Sequence, residues 1–151
     1  MTFLLRCLPV AVLLSVSAVS AAGEIRGRIV DESGKPLAAR LYIQSTSGKH
    51  FLAEGTDGSR HTHYNKDRGG SVEVHTALDK GNFRATVPEG ECTLTVERGK
   101  EYFSTSMKVT VDSKPIDVEI MLRRWIHMAE RGWFSGDTHI HLPLKDLDVF
   151  T

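Results

Sequence analysis

Alternation with a period of two runs along most of this chain, and no other feature restricts the fold as tightly. Glu24–Val30 sets Ile25, Gly27 and Ile29 on one face and Arg26 and Arg28 on the other. Ala38–Gln44 sets Ala39, Leu41 and Ile43 against Arg40, Tyr42 and Gln44. Phe83, Ala85 and Val87 alternate with Arg84 and Thr86, and Cys92, Leu94 and Val96 with Thr93, Thr95 and Glu97. The pattern continues through Tyr102–Val111 and Ile116–Leu122, with weaker strand signals at His50–Ala53 and Ser71–Thr76. Successive side chains of a strand point to opposite faces, so each segment has one apolar face to bury. The expected class is all-β: an antiparallel, Greek-key-type β-sandwich of seven or eight strands over residues 24–122. Its inward set is Ile25, Ile29, Leu41, Ile43, Phe83, Val87, Leu94, Val96, Val109, Ile120 and Leu122.

Turn chemistry punctuates the strands. Asp31 to Pro36, Arg98-Gly99-Lys100 and Asp112 to Pro115 each interrupt the alternation. Pro88-Glu89-Gly90-Glu91 is expected to join two strands as a tight hairpin. Gly55–Gly70, polar and rich in glycine, is expected to be a surface loop. After Leu122 the period changes. Arg123 to Arg131 has the makings of two helical turns that Gly132 would stop, and Trp133 to Leu142 reads as a further strand.

The first residues point to export. A short positive start ending at Arg6, an apolar run from Cys7 to Val19, and small residues at Ser20, Ala21 and Ala22 make up a secretory signal. The apolar run is short of the roughly 20 residues of a membrane span. Arg6 precedes Cys7, which is not a lipoprotein context, so no stable membrane anchor is expected. Three divisions follow: a signal at 1–22, a sandwich at 23–123, and a linker helix with one strand at 124–151. Cleavage leaves about 130 residues, enough for one core. It also leaves 18 bases (19 less Arg6) against 19 acids, a formal charge of −1. Such a chain has no broad attraction for nucleic acid or anionic membrane. Cys92 is then the lone cysteine, so no internal disulfide forms. The destination is the periplasm or the extracellular space.

Metal-ligand character is concentrated in Asp137-Thr138-His139-Ile140-His141. On a strand, Asp137, His139 and His141 share one face. Two imidazoles and a carboxylate suit a divalent metal such as Zn, Mn or Fe. A bare H-x-H also arises as a chance pair of surface histidines. His61-Thr62-His63 repeats the spacing, but within the expected loop, and is read as solvated surface. His75 falls on the polar face of its strand and is read as exposed. Cys92 alternates with Leu94 and Val96 and is read as a buried structural thiol. Tyr102, Phe103, Trp125, Trp133 and Phe134 are read either as core and interface or as a sugar-binding strip.

Residues 132–141, Gly-Trp-Phe-Ser-Gly-Asp-Thr-His-Ile-His, resemble the start of the metal domain in exported CehA/McbA-type metallohydrolases of the polymerase-and-histidinol-phosphatase (PHP) superfamily. Val72 to Thr76, Pro88 to Gly90, Val96 to Tyr102 and Leu122 to Trp125 resemble the N-terminal module of the same proteins, in the same order. That module is similar to carboxypeptidase-regulatory-like and transthyretin-like sandwiches. The resemblance implies a β/α barrel after the sandwich, with His139 and His141 as the first metal ligands and further ligands on later strands. No histidine follows His141, and about ten residues remain, whereas a barrel takes roughly 200 or more. The expected function is therefore a non-catalytic accessory sandwich whose partner is a missing catalytic barrel, with an incomplete metal site and no activity of its own. The alternative is a free-standing extracytoplasmic module for a carbohydrate or another ligand. Exposed apolar surface around Trp125–Phe134 favours the first, and exposed loop aromatics beside a preformed groove favour the second.

Overall fold

The computed structural model describes residues 21–64, 73–134 and 136. Ten strands occur among them. The first five are β1 (Ala22–Val30), β2 (Ala39–Ser45), β3 (His50–Phe51), β4 (Glu54–Gly55) and β5 (Ser59–Tyr64). The others are β6 (Glu73–Leu78), β7 (Asn82–Pro88), β8 (Gly90–Glu97), β9 (Thr105–Val111) and β10 (Ile116–Met121). They form two sheets packed as a sandwich. One has the order β10-β1-β7-β4; the other has the order β5-β6-β2-β8-β9, with β3 also paired to β2. The excess over seven or eight strands comes partly from β3 and β4, which are two residues each.

The alternation explains the core. Ile25, Ile29, Phe83, Val87 and Ile120 face inward from the smaller sheet, and Leu41, Ile43, Leu94, Val96 and Val109 from the larger. Leu122 joins them, so every residue of the expected inward set is buried. Each such side chain contributes about 1.5–3 kcal/mol on leaving water. Cys92 lies in the same cluster at 1 % exposure, as expected, and burial pushes its thiol pKa up. Gly27 interrupts the inward row of β1 for a steric reason. It is the register partner of Phe83 on β7, and a Cβ there would lie 2.2 Å from the Phe83 ring. The missing side chain is the space the ring occupies.

Four local expectations are corrected. First, the strands are antiparallel pairs except for β1 and β10, which run parallel from Ile25↔Ile116 to Val30↔Met121. The chain crosses from β9 in the larger sheet to β10 in the smaller, and arrives beside β1 in that sense. Second, Pro88 to Gly90 is not a hairpin. β7 pairs with β1 and β4, while β8 pairs with β2 and β9, so Glu89 is the corner between layers. Gly90 at φ 128° permits the change of direction.

Third, the expected loop contains β5, which pairs with β6 from Ser59↔Leu78 to Tyr64↔Glu73. The backbone hydrogen bonds of a sheet edge need no apolar side chains, and a polar strand suits an edge. Fourth, the helix expected over 123–131 is a single 3-10 turn at Ala129–Arg131. Gly132 does end it, in the left-handed conformation at φ 76°. The preceding residues are held by other contacts, described next.

Candidate functional site

The expected metal residues Asp137, His139 and His141 lie outside the described residues, as does the expected signal up to residue 20. Among the described residues, no group of three or more His, Cys, Asp or Glu is arranged to hold a metal ion. What the structure describes is the path by which the chain leaves the sandwich toward those residues.

That path is anchored at the turn between β8 and β9. Glu101 Oε2 accepts from Arg124 Nε at 3.0 Å and also from Arg124 Nη2. The backbone N–H of Met128 points at the same oxygen, 3.5 Å away. Phe103 N donates to Arg123 O at 3.0 Å, and Trp125 N to Glu101 O at 3.0 Å. Trp125 Nε1 donates to Lys100 O at 2.9 Å. Tyr102 and Arg124 form a β-bridge, and the Arg124 guanidinium lies 5.3 Å from the centre of the Tyr102 ring. The Arg124 hydrogen bond holds the Glu101 carboxyl below the usual carboxylate range. The last strand thus ends in a second short pairing that ties residues 123–128 to residues 100–103. This pairing competes with a helix, because the Arg123 carbonyl and the Met128 N–H that an intrahelical ladder would use are directed to the turn instead.

Large apolar side chains surface in the same region. The exposed ones among the described residues are Phe103 (48 %), Met121 (54 %), Trp125 (54 %), Trp133 (68 %) and Phe134 (81 %). All belong to the last third of the chain. Phe103 and Trp125 meet with ring centres 6.4 Å apart, and the Arg123 guanidinium lies 4.8 Å from the Phe103 ring. Single exposed hydrophobes are ordinary on a small domain; here all five fall within residues 103–134, on the β8–β9 turn, on β10 and after it.

The histidines depart from expectation in part: His61 and His63 are exposed, as expected, but on a strand, and His75 is buried. His61 and His63 lie on β5, opposite Thr76 and Val74, and not in a loop. The ring Nε2 of His61 lies 2.7 Å from Ala53 O and 3.5 Å from a Glu54 carboxylate oxygen. His75 is buried at 6 %, although it stands on the polar face of β6. Its Nδ1 lies 3.1 Å from Glu73 Oε2, and its ring centre 5.1 Å from that of Tyr42. The Tyr42 hydroxyl donates to Glu73 Oε2 at 3.5 Å. This trio ties β6 to β2 across the outer face of the larger sheet. Tyr42 ionises less readily than usual, first through burial and then through the nearby Glu97 and Glu73 carboxylates.

No protein-family profile matches the chain, and no curated protein does. Solved structures similar to it include the following two. One is a DUF3823 family protein from Parabacteroides merdae, at 14 % identity and a TM-score of 0.42, covering 70 % of this chain and 48 % of that one. The other is 3-chlorocatechol 1,2-dioxygenase from Rhodococcus opacus, at 9 % identity and a TM-score of 0.44, covering 70 % of this chain and 60 % of that one. The chain spans less than two thirds of the length of either protein.

Sequence reasoning did not identify Glu101 and Arg124 as a pair. Opposite charges on 96–102 and 122–125 were available as a signal, but only the crossing of the two segments makes them neighbours. No helix of the described residues is long and apolar enough to cross a membrane.

Proposed function

We propose that this chain is the non-catalytic accessory sandwich of an exported, CehA/McbA-type metal-dependent hydrolase of the PHP superfamily. The observation that carries this reading is the exposure of Trp125, Trp133 and Phe134 along the segment that leads from β10 to the H-x-H residues, with Phe103 of the β8–β9 turn exposed against Trp125. Surface of that kind is stabilised by burial against a second domain, and the segment is where such a domain would follow. The Glu101–Arg124 anchoring fits the role, because it fixes the direction in which the chain leaves the sandwich. The partner in this reading is the catalytic barrel. The locale is the periplasm or the extracellular space, reached through the signal at 1–22.

His139 and His141, with Asp137, would supply the first ligands of a Zn, Mn or Fe centre. They remain an incomplete set. Catalytic zinc sites use about three protein ligands and leave one position open. Successive same-face positions on a strand stand roughly 7 Å apart, so three in line do not enclose an ion.

Isothermal titration of the full chain with Zn²⁺ and Mn²⁺, together with assays on phosphoester and ester substrates, tests the reading. The expected outcome is weak binding and no turnover. Stoichiometric submicromolar binding that is lost in His139→Ala, or turnover by the same preparation, would overturn it.

A further inference from the structure

The β8–β9 turn has a second property besides anchoring the linker. β8 ends at Glu97, and Arg98-Gly99-Lys100 turns with Gly99 at φ 51°. The turn and the start of β2 enclose an open cleft of about 440 Å³. Arg40, Arg98 and Lys100 line it, together with Glu97, Tyr102 and Ser104. Three cations therefore face one carboxylate. None of the three cleft cations has an acidic partner within 4.0 Å among the described residues, a property they share with several isolated surface cations such as Lys35, Lys49 and Lys114; what sets them apart is that the three line one cleft. Arg40 and Glu97 are register partners on β2 and β8, and even they are not in ion-pair contact.

Arg98 is held in place. Its Nη1 donates to Ala38 O, and its guanidinium lies 5.6 Å from the centre of the Tyr102 ring, which Arg124 also engages. The other N–H groups of Arg98 have no protein partner among the described residues. A fixed guanidinium with free donors matches the paired oxygens of a carboxylate, sulfate or phosphate. Glu97 changes the kind of anion that fits. A bare inorganic ion gains nothing from a carboxylate in the wall, whereas a hydroxyl-bearing anion donates to it and to Ser104. The cleft volume lies in the range of small-molecule sites.

We propose that this cleft binds a small acidic saccharide, with the oxyanion on Arg98, Arg40 and Lys100 and the sugar hydroxyls on Glu97 and Ser104. The proposal does not rest on the hydrolase reading, since its test involves neither metal nor turnover. The full chain is titrated at low salt with D-glucuronate, D-glucose 6-phosphate, D-glucose and inorganic phosphate, followed by calorimetry and by amide resonances of residues 97–104. Glucuronate or the sugar phosphate binds, glucose does not, and the tighter of the two acids identifies the preferred oxyanion. Lys100→Ala and Arg98→Lys each weaken binding about tenfold or more, with folding checked by circular dichroism. Three results overturn the proposal: no binding of either acid, glucose binding as well as the acids, or unchanged affinity in both variants. Inorganic phosphate binding as tightly as glucose 6-phosphate also overturns it, by showing that the hydroxyls are not read.

Discussion

Leu94 and Gly27 show how a core side chain and a missing one specify the same interior. Leu94 is fully buried between the sheets, and Leu94→Ala is expected to cost about 2–5 kcal/mol through lost transfer energy and the cavity left behind. Gly27→Val adds atoms where the Phe83 ring and Val118 already lie, 2.2 and 2.9 Å from the added Cβ. It is expected to cost about 1–3 kcal/mol or more. Urea denaturation measures both, and a change below about 0.5 kcal/mol in either would show that the inner face is misassigned. Cys92 gives a third check. Its thiol is enclosed and its pKa raised, so it should resist thiol reagents in the native protein and react once unfolded. The inward residues were legible in the sequence because period-two spacing assigns faces without knowledge of partners. His75 was not. Alternation placed it on the outer face, but only the β2–β6 pairing brings Tyr42 and Glu73 against it.

At the scale of elements, the segment after β10 is defined by its partner more than by its own pattern. Residues 123–131 carry a helical spacing, yet Phe103 N of the β8–β9 turn takes the Arg123 carbonyl and the Glu101 carboxylate draws the Met128 N–H. β5 illustrates the opposite case, a polar segment that becomes a strand because β6 offers an edge. Neither outcome is written in local propensity, since both depend on a neighbour distant in sequence. The anchoring has a consequence for pH. The Glu101 carboxyl is held below the usual range by Arg124, so its contribution is present above the ordinary glutamate pKa. It is lost as the pH falls through the lowered, folded-state value. The indole N–H resonance of Trp125, bonded to Lys100 O, should therefore shift on acidification with a midpoint below the usual glutamate range. In Glu101→Gln that step should be absent, and amides 123–132 should exchange faster at neutral pH. An unchanged acid step in the variant would show that another group controls the linker.

Among the described residues the molecule is a sandwich closed by two inner faces, with its large exposed apolar side chains gathered within residues 103–134. The sandwich was legible because β1, β2, β7, β8, β9 and β10 each carry one alternating apolar face. The layer change at Glu89 was not, because the same turn residues serve a hairpin and a corner alike. The expected signal rests on the charge and apolar pattern of the first 22 residues, the H-x-H site on strand spacing and resemblance, and the barrel on resemblance and that exposed surface; the central claim is that a catalytic domain continues the chain. The most direct measurement is the sequence of the transcript beyond codon 151, paired with the intact mass of the exported product. The account predicts an open frame of roughly 200 codons or more, with further His, Asp and Glu, and a product of corresponding size cleaved after Ala21 or Ala22. A stop codon directly after Thr151, with an exported product ending there, would contradict it.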